Sequence, residues 1–206
     1  TSAAVVFMHS YLNPSNELLV EKIAKKVGFE HISLSHKVAK TVRFVSRGET
    51  TCVDAYLTPI LRAYISKLSK RLPEVPIEFM QSHGGLVSAH LFSGKNSVLS
   101  GPAGGVVGTA RTAEKNSRKS VIGFDMGGTS TDVCHYAGQY ERQFENEVNG
   151  VKLNIPMMAI ETVAAGGGSV VDFDGVNMRV GPESAGSNPG PACYKKGGPL
   201  TVTDCN

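Results

Sequence analysis

The fold of this chain is decided by the stretch VIGFDMGGTSTDVCHY, which runs from Val121 to Tyr136. Its apolar start, Val121 to Phe124, is typical of a buried strand. A loop of acidic, glycine and hydroxyl residues follows. The residues from Val133 to Tyr136 and from Gln139 to Phe144 then predict a second strand, a tight turn and a third strand. The sequence therefore predicts a β-hairpin at this point and no helix after the glycines.

The loop of this hairpin has the composition of a phosphate-binding site. Gly127 and Gly128 let the backbone approach an anion without a Cβ in the way. Successive N–H groups in such a loop can form an anion-binding concavity. Thr129, Ser130 and Thr131 add hydroxyl donors. We therefore predict a phosphate cradle, and the alternative is a plain turn that uses the glycines only for their conformation.

Two acidic residues flank the loop and are the candidate catalytic carboxylates. Asp125 and Asp132 could hold Mg²⁺ through water against bound phosphates. The alternative for Asp132 is an ordinary hairpin acid, whose removal would cost little activity. No lysine occurs between Val121 and Val151, which excludes a Walker A loop. The dinucleotide fingerprint is excluded as well, because it needs a further glycine that opens a helix.

The composition excludes several classes of protein. The chain has 206 residues, of which 41% are hydrophobic and 19% are charged, as is ordinary for a globular protein with a sizeable core. A net charge of +3 is too small to predict a nucleic-acid or membrane partner. No Cys-x-x-Cys pair is present, so we expect free thiols and a reducing, cytoplasmic location, with one disulfide as the alternative.

Upstream of the hairpin, the pattern alternates strands and helices. A first helix is predicted with Asn13 as its cap and Gly28 after its end. Its apolar stripe is Leu19, Ile23 and Val27, which we expect to face the core. The predicted strands of this region are Ala3–Met8, His31–Leu34, Val42–Val45 and Pro76–Gln81.

The remaining elements complete the prediction of an α/β protein with an antiparallel part. A long helix is predicted over Glu49–Leu72, with a kink or a restart at Pro59, and Tyr56 and Tyr64 are expected in its core-facing positions. Another helix is predicted to begin at Ser100 and to run to about Lys115. Beyond it the chain turns rich in β-hairpins and glycine, and it ends in a block, Gly181–Pro199, that is crowded with glycine and proline.

Four motifs, in this order and spacing, resemble the hydantoinase A/5-oxoprolinase family, and most closely its eukaryotic-type ATP-dependent branch. The resemblance covers nearly the whole chain. The motifs are SGPAGG at Ser100–Gly105, FDMGGTSTD at Phe124–Asp132, AGGGS at Ala165–Ser169 and GPESAGSNPGPACY at Gly181–Tyr194. The sequence departs from the family pattern at Asn16, where histidine is common, at His83, where Asp or Asn is usual, and at Cys205, where alanine is usual.

The resemblance implies an actin/hexokinase/Hsp70-like ATPase architecture, in which nucleotide lies between two RNase H-like lobes. Each lobe of that architecture contributes an Asp-x-Gly hairpin loop, and the block around Asp125 matches one of them. Residues 1–45 would then be the end of a preceding N-terminal lobe. Residues 46–206 would be the first part of a hydantoinase A-like ATPase domain, truncated at its C-terminus.

The resemblance also implies a chemistry. ATP and Mg²⁺ would be the cofactors, and phosphorylation of the lactam would open 5-oxo-L-proline to L-glutamate. The expected partners are the rest of the parent chain, including a hydantoinase B-like region, in a homodimer without nucleic acid or membrane. The alternatives are a hydantoinase, an acetone carboxylase β-type enzyme, or a non-catalytic nucleotide-gated module of the actin or Hsp70 type. We expect the isolated fragment to be inactive, because half of the phosphate clamp lies elsewhere.

Several further residues are weaker candidates. Gly104 and Gly105 could present N–H groups to an anion at a helix start, or could equally serve close packing. Gly166, Gly167 and Gly168 are predicted to approach the nucleotide or the substrate, with a bulge or tight turn as the alternative. Two side chains with reactive groups are predicted to be structural, His83 in a loop and Cys193 as a packed thiol.

Overall fold

A computed structural model describes residues 1–148 and 150–206, which divide into two compact units. The first unit comprises Thr1–Gly104 and Glu141–Met158, and the second comprises Gly105–Tyr140 and Ala159–Asn206. Both units mix helices and strands, so the predicted α/β class is confirmed. Residues on both sides of position 45 lie in the first unit, and the domain division predicted there stays a prediction.

The helices and strands of the described residues alternate at first and give way to short strands after the helix at Ser100–Lys115. They are β1 (Ser2–Val5), α1 (Ser15–Val27), β2 (His31–Leu34), α2 (Ser35–Val38), α3 (Phe44–Arg71), β3 (Glu78–Met80), β4 (Leu86–Ser88), α4 (Ser100–Lys115), β5 (Val121–Met126), β6 (Thr131–Tyr136), β7 (Arg142–Gln143), β8 (Asn146–Val148), β9 (Val151–Leu153), β10 (Met157–Met158), β11 (Glu161–Val163), β12 (Ser169–Phe173) and β13 (Met178–Ser184). Within the described ranges, no helix is both long enough and apolar enough to cross a bilayer.

The first unit is built on a parallel pair of strands. β1 and β2 run side by side with Val5 opposite Leu34, and α1 supplies the helical crossover that a parallel connection needs. Helix α3 packs against both strands. Among its described residues the unit also contains three short antiparallel pairs, β3 with β4, β7 with β10, and β8 with β9. Leu153, Ile155 and Met157 form a buried apolar cluster in this unit.

Charged side chains are buried at the carboxyl ends of β1 and β2. Glu17 is fully buried and accepts hydrogen bonds from the Ser35 hydroxyl and from the His36 backbone N–H and imidazole. Arg47 is also fully buried and donates to the carbonyls of Phe7 and Met8 and to the Ser35 hydroxyl. Each buried charge is therefore satisfied by fixed donors or acceptors, as its burial requires.

The second unit is built on an antiparallel sheet in the order β11–β6–β5. The part of α4 that belongs to this unit packs through Ala110 and Ala113 against Tyr136. Gly123 on β5 permits close packing, because an added Cβ would lie 2.5 Å from Cys134 Sγ and 2.6 Å from Thr109 Oγ1. β12 and β13 form a separate hairpin, as predicted.

The long helix α3 begins earlier than predicted, and it continues through Pro59. Val42–Val45 does not form a strand, because α3 already begins at Phe44. The helix then continues without a restart through Pro59. The N–H of Gly94 donates to Thr58 Oγ1 at 2.9 Å, one residue before the proline. This contact joins the helix to Gly94 next to the proline, whose nitrogen has no hydrogen to donate within the helix.

The apolar stripe predicted for α1 does not face the core. The residues that α1 buries are Glu17 and Ala24, while Leu19, Ile23 and Val27 are exposed. The reason is that the donors around the Glu17 carboxylate orient the helix, and an apolar pattern alone does not contain that information.

Other predicted core positions are exposed as well. On α3, Tyr56 and Tyr64 are exposed. On β5 the buried residue is Gly123, while Ile122 and Phe124 are exposed.

The third strand predicted over Gln139–Phe144 forms only in part, and it does not join the sheet of β5 and β6 beyond an isolated bridge between Tyr136 and Tyr140. Within that range Arg142–Gln143 forms a two-residue strand that pairs with Met157–Met158 in the first unit. The place beside β6 is taken by Glu161–Val163. A short polar stretch has no strong local preference, so long-range pairing decides which strand joins the sheet.

Candidate functional site

The predicted hairpin forms, and its loop is closed by a short turn. β5 and β6 pair along their full length, and the N–H of Gly127 donates to the Ser130 carbonyl at 2.8 Å. The carbonyl oxygens of the two loop glycines accept hydrogen bonds from another segment of the second unit. The Gly127 oxygen accepts the N–H of Gly167 at 2.9 Å, and the Gly128 oxygen accepts the N–H of Gly168 at 2.7 Å. We call Gly127–Ser130 the phosphate loop and Ala165–Ser169 the support segment.

The phosphate loop leaves a run of donors unused. Within residues 1–148 and 150–206, no group accepts a hydrogen bond from the N–H of Gly128, Thr129 or Ser130. Gly128 and Thr129 are exposed and Ser130 is half-buried, so these donors are open to a ligand or to water. The support segment donates hydrogen bonds to the carbonyls of Gly127 and Gly128, so these two acceptors are already occupied. The loop is left with consecutive free N–H donors, which is what an anion-binding concavity requires.

The support segment needs glycine because it lies directly against the loop. A Cβ on Gly166 would stand 2.7 Å from the Gly127 carbonyl oxygen and 2.8 Å from the backbone N of Thr129. A Cβ on Gly168 would stand 2.8 Å from the Gly128 carbonyl oxygen. Such contacts require the backbone to move. Gly166 and Gly168 therefore lie against the phosphate loop, a role that the sequence did not predict.

Hydroxyl groups fasten the support segment from both sides. Thr131 is buried, and its hydroxyl donates to the Ala165 carbonyl at 2.6 Å. Ser169 Oγ accepts the N–H of Gly166 at 3.0 Å. The N–H and the hydroxyl of Thr203 both donate to the Gly167 carbonyl at 2.8 Å. In this structure Thr131 therefore holds the segment in place, while Thr129 and Ser130 lie in the loop itself.

The two candidate carboxylates face each other across the hairpin. Asp125 and Asp132 are paired residues of β5 and β6, so their side chains lie on the same face of the sheet. Asp132 Oδ1 accepts the Thr162 hydroxyl at 2.7 Å. Across the described chain, no lysine, arginine or histidine forms an ion pair with either carboxylate.

The pair could hold a magnesium ion. Like charges placed directly opposite each other destabilise a hairpin unless a cation offsets them. No group of three or more His, Cys, Asp or Glu side chains suited to a metal occurs within the described residues. Mg²⁺ needs only one or two carboxylates, since waters and phosphates complete its shell. Asp125 and Asp132 would therefore be enough as the ligands that the protein supplies to such an ion.

Gly104 and Gly105 fall on either side of the boundary between the units. An added Cβ would lie 3.8 Å from Met80 Cγ at Gly104 and 3.5 Å from Asp125 Oδ2 at Gly105, both ordinary contacts. Packing therefore does not demand glycine at either position. Close packing does demand glycine at Gly123 on β5, and the signal that could have found it is a glycine inside an apolar strand.

A groove lies beside the phosphate loop within the second unit. Its volume is about 670 Å³, a size that suits a small-molecule ligand. Its lining residues are Met126, Gly127, Gly128, Gly167, Tyr194, Val202, Thr203, Cys205 and Asn206. The glycine/proline-rich block therefore contributes Tyr194 to the same groove as the phosphate loop, which the sequence did not predict.

Asp204 holds this part of the block in place. Its carboxylate accepts the N–H groups of Ala192, Cys193 and Thr201 and the Thr201 hydroxyl. Burial acts to raise the pKa of Asp204, but hydrogen bonds from Cys193 and Thr201 outweigh it and hold that pKa well below its usual range. Asp204 is therefore ionised at neutral pH and fastens residues 192–194 to the turn at Thr201.

The two side chains singled out for their reactive groups, Cys193 and His83, do not form a nucleophilic site. Cys193 is exposed, not packed as predicted, and the hydrogen bond with Asp204 raises the pKa of its thiol. A thiol with a raised pKa is a poor nucleophile. His83 uses both ring nitrogens locally, Nε2 with Gln81 Oε1 at 3.0 Å and Nδ1 with the N–H of Gly85 at 3.2 Å. All four cysteines are free thiols, as predicted.

Comparison with curated proteins identifies relatives that share this whole segment. The chain is 50% identical to the 5-oxoprolinase of Dictyostelium discoideum, over 100% of this chain and 18% of that protein. It is 52% identical to 5-oxoprolinase 1 of Arabidopsis thaliana, over 98% of this chain and 16% of that protein. The chain thus spans less than a fifth of the length of these relatives.

Two solved structures share the fold of the chain. Acetone carboxylase, solved nucleotide-free in work on ATP-dependent acetone carboxylation, has a TM-score of 0.78 at 28% identity. The ATP-dependent caprolactamase from Pseudomonas jessenii has a TM-score of 0.77 at 32% identity. In both cases the similarity covers 100% of this chain and 31% of the other. The Hydantoinase/oxoprolinase family matches residues 47–206, and the chain therefore belongs to that family.

Proposed function

We propose that this chain is a segment of an ATP-dependent 5-oxoprolinase, an enzyme that opens 5-oxo-L-proline to L-glutamate with hydrolysis of ATP. The names of relatives at about half identity support this substrate. The similarity to a caprolactamase supports a cyclic amide as the class of substrate. A lactam is a poor electrophile, so its opening at neutral pH needs an activating phosphoryl transfer, for which positioning and charge stabilisation are the main demands on the protein.

The observation that carries the proposal is the state of the phosphate loop. The N–H groups of Gly128, Thr129 and Ser130 have no acceptor within the described residues, while the carbonyls of Gly127 and Gly128 are bound to the support segment. The loop therefore offers donors to a phosphate and keeps its acceptors away. Thr129 and Ser130 hydroxyls add to this set of donors, and Gly166–Gly168 hold the loop in its position.

Asp125 and Asp132 are the proposed catalytic carboxylates on the metal side. When bound, Mg²⁺ would offset the charge that develops on the phosphates. The two aspartates would hold it through water, and the hydrogen bond from Thr162 would fix the Asp132 carboxylate. Gly105, beside Asp125, leaves the space around that carboxylate open.

The larger setting is also part of the proposal. The segment would supply one phosphate loop of an actin/hexokinase/Hsp70-like ATPase with two lobes. The second Asp-x-Gly hairpin loop would come from another part of the parent chain. A hydantoinase B-like region would supply the hydrolytic partner, in a homodimeric cytoplasmic enzyme. Neither nucleic acid nor a membrane is expected as a partner, since the net charge is only +3.

A second candidate is an ATP-dependent carboxylase of a ketone. The structural similarity to acetone carboxylase, at a TM-score of 0.78, supports this alternative. This alternative would use the same phosphate loop and would differ in the carbonyl compound that ATP activates. The two candidates are therefore separated by substrate and not by the residues of the loop.

The test is ATP hydrolysis by the full-length protein with different substrates. We expect turnover to depend on 5-oxoproline and to yield glutamate, and we expect Asp125→Asn to lower kcat by about 10²-fold or more, as loss of a charge-stabilising group does. Glu147→Gln, an exposed acid on β8 outside the site, is the matched control and should keep full activity. ATP turnover stimulated by acetone or hydantoin, and not by 5-oxoproline, would overturn the proposed substrate.

A further inference from the structure

The glycine/proline-rich block at Gly181–Pro199 has no role in the function proposed above. In the structure it brings one aromatic side chain, Tyr194, into the groove that also contains Gly127 and Gly128 of the phosphate loop. Tyr194 is 52% exposed, so much of its ring surface is available to a ligand. The block is therefore a candidate for direct contact with whatever the phosphate loop binds.

The position of Tyr194 is set by a contact at one edge of its ring and by a hydrogen bond of the adjoining backbone. Gly190 lies against its edge, because a Cβ on Gly190 would stand 2.6 Å from Tyr194 Cδ2. The neighbouring backbone N–H of Cys193 is bound by Asp204 Oδ1 at 2.7 Å.

The turn that contains Asp204 is tied to the phosphate loop. Thr203 in that turn donates to the Gly167 carbonyl, and Gly167 in turn donates to the Gly127 carbonyl. A continuous set of hydrogen bonds thus links the support of Tyr194 to the phosphate loop.

The chemistry of the groove selects its ligand. None of the side chains that line it carries a charge, and Met126, Tyr194 and Val202 give it apolar surface. Thr203 and Asn206 add neutral polar groups. A carboxylate such as that of 5-oxoproline would lose its water here without gaining a charged partner, which is costly. A flat, uncharged ring suits this lining better, and aromatic side chains stack readily on nucleobases.

We propose that the groove binds the nucleoside part of the nucleotide whose phosphates the loop holds, with Tyr194 as the surface on which the base stacks. The inference rests on the proposed function, because it assumes that a nucleotide occupies the phosphate loop. It gives the Gly181–Pro199 block a specific task, which is to present Tyr194, with Asp204 as a positioning residue that fastens it. It also makes the groove a nucleotide site and not the lactam site.

The test separates the base from the phosphates. Isothermal titration calorimetry on the full-length protein would measure Mg·ADP and Mg·tripolyphosphate, which lacks a nucleoside. We expect Tyr194→Leu to weaken ADP about tenfold, as the loss of one stacked base does. The same variant should bind tripolyphosphate as the unaltered protein does, and Tyr194→Phe should bind both normally. Leucine retains bulk and apolar character, so the packing around position 194 should be kept. Retained tripolyphosphate binding would also show that the variant is folded.

The remaining outcomes distinguish the inference from the function on which it rests. Unchanged ADP affinity in Tyr194→Leu, or an effect confined to the KM for 5-oxoproline, would overturn the nucleoside groove alone. Equal weakening of ADP and tripolyphosphate would also overturn it, since Tyr194 would then act only through the shape of the loop. Failure of the unaltered protein to bind either compound would overturn the phosphate loop itself. Asp125→Asn serves as the comparison variant, because it should weaken both compounds.

Discussion

The N–H of Gly167 donates to the carbonyl oxygen of Gly127 at 2.9 Å, so the phosphate loop is held from behind by a second glycine-rich segment. Because of this bond the Gly127 carbonyl is not a free acceptor beside the donors of the loop. It also makes the geometry of the loop depend on a segment far away in the sequence. The consequence is that substitutions in the support segment should act on nucleotide binding even where they do not contact the nucleotide.

The first prediction concerns Gly166, whose Cβ position lies 2.7 Å from the Gly127 oxygen. Gly166→Ala should displace the loop and lower kcat/KM for ATP by about 10²-fold, a typical cost of misplacing a binding group by about 1 Å. Gly108→Ala on α4 is the matched control, because nothing lies within 4 Å of its Cβ position. Steady-state kinetics on the full-length protein would measure both. Equal activity of the two variants would contradict the role of the support segment.

The second prediction concerns the facing carboxylates, Asp125 and Asp132. Without metal, Asp125→Asn should raise the free energy of unfolding by about 0.2–1 kcal/mol, because it removes a like-charge pair across the hairpin. Addition of Mg²⁺ should raise the melting temperature of the unaltered protein and have little effect on the variant. Thermal unfolding in EDTA and in excess Mg²⁺ would measure this. The same Mg²⁺ response in both proteins would rule out the pair as a metal site.

The third prediction concerns Gly123 and the packing of α4 on β5. Gly123→Ala should destabilise the protein by about 1–3 kcal/mol, the usual cost of overpacking, because its Cβ would stand 2.5 Å from Cys134 Sγ and 2.6 Å from Thr109 Oγ1. Hydrogen exchange of peptides from α4 and β5 in the full-length protein would report the loss. Gly101→Ala, whose Cβ position is open, provides the control. Exchange rates that stay the same in Gly123→Ala would contradict this packing.

The fourth prediction concerns the pH dependence of the first unit. Burial acts to raise the pKa of Glu17, but hydrogen bonds from Ser35, His36 and Ser10 outweigh it and lower that pKa to about 2 from an ordinary value of 4.5. A lowered folded-state pKa stabilises the fold fully above about pH 4.5, and the stabilisation disappears as the pH falls towards 2. Glu17→Gln should therefore cost on the order of 3 kcal/mol at pH 7 and little at pH 2.

Hydrogen exchange of α1 and β2, corrected for intrinsic rates, would measure that pH dependence in the full-length protein. Glu21→Gln is the control, since Glu21 is half-buried and pairs with the exposed Lys25, a surface pair that should contribute little. A cost of Glu17→Gln that is the same at pH 7 and at pH 3 would contradict the assignment of a buried, ionised carboxylate.

The fifth prediction concerns the 206-residue chain on its own. Under the two-lobe arrangement proposed for the parent, the second phosphate loop lies outside this segment. The isolated chain should therefore neither hydrolyse ATP nor bind Mg·ATP with micromolar affinity, which would correspond to about 8 kcal/mol. Calorimetry of the chain with Mg·ATP would measure this. Micromolar binding would mean that this chain is sufficient to bind Mg·ATP and that a second phosphate loop is not needed.

What the sequence determined by itself is local. The hairpin of β5 and β6, the glycine loop between them and the extent of α4 all follow from residue spacing and from the position of glycine and proline. The position of Gly28 after α1, with a φ of 105°, follows for the same reason. These features depend on neighbours in the chain, so a short window of sequence contains the information that fixes them.

What only the tertiary structure decided is which distant groups meet. The support segment binds the phosphate loop, Tyr194 enters the groove beside it, and Glu17 takes the buried position that an apolar stripe was expected to occupy. Each of these outcomes depends on satisfying a particular donor, acceptor or charge with a partner from another part of the chain. Periodicity contains no record of such partners, because the free energy that selects them arises only when the segments pack together.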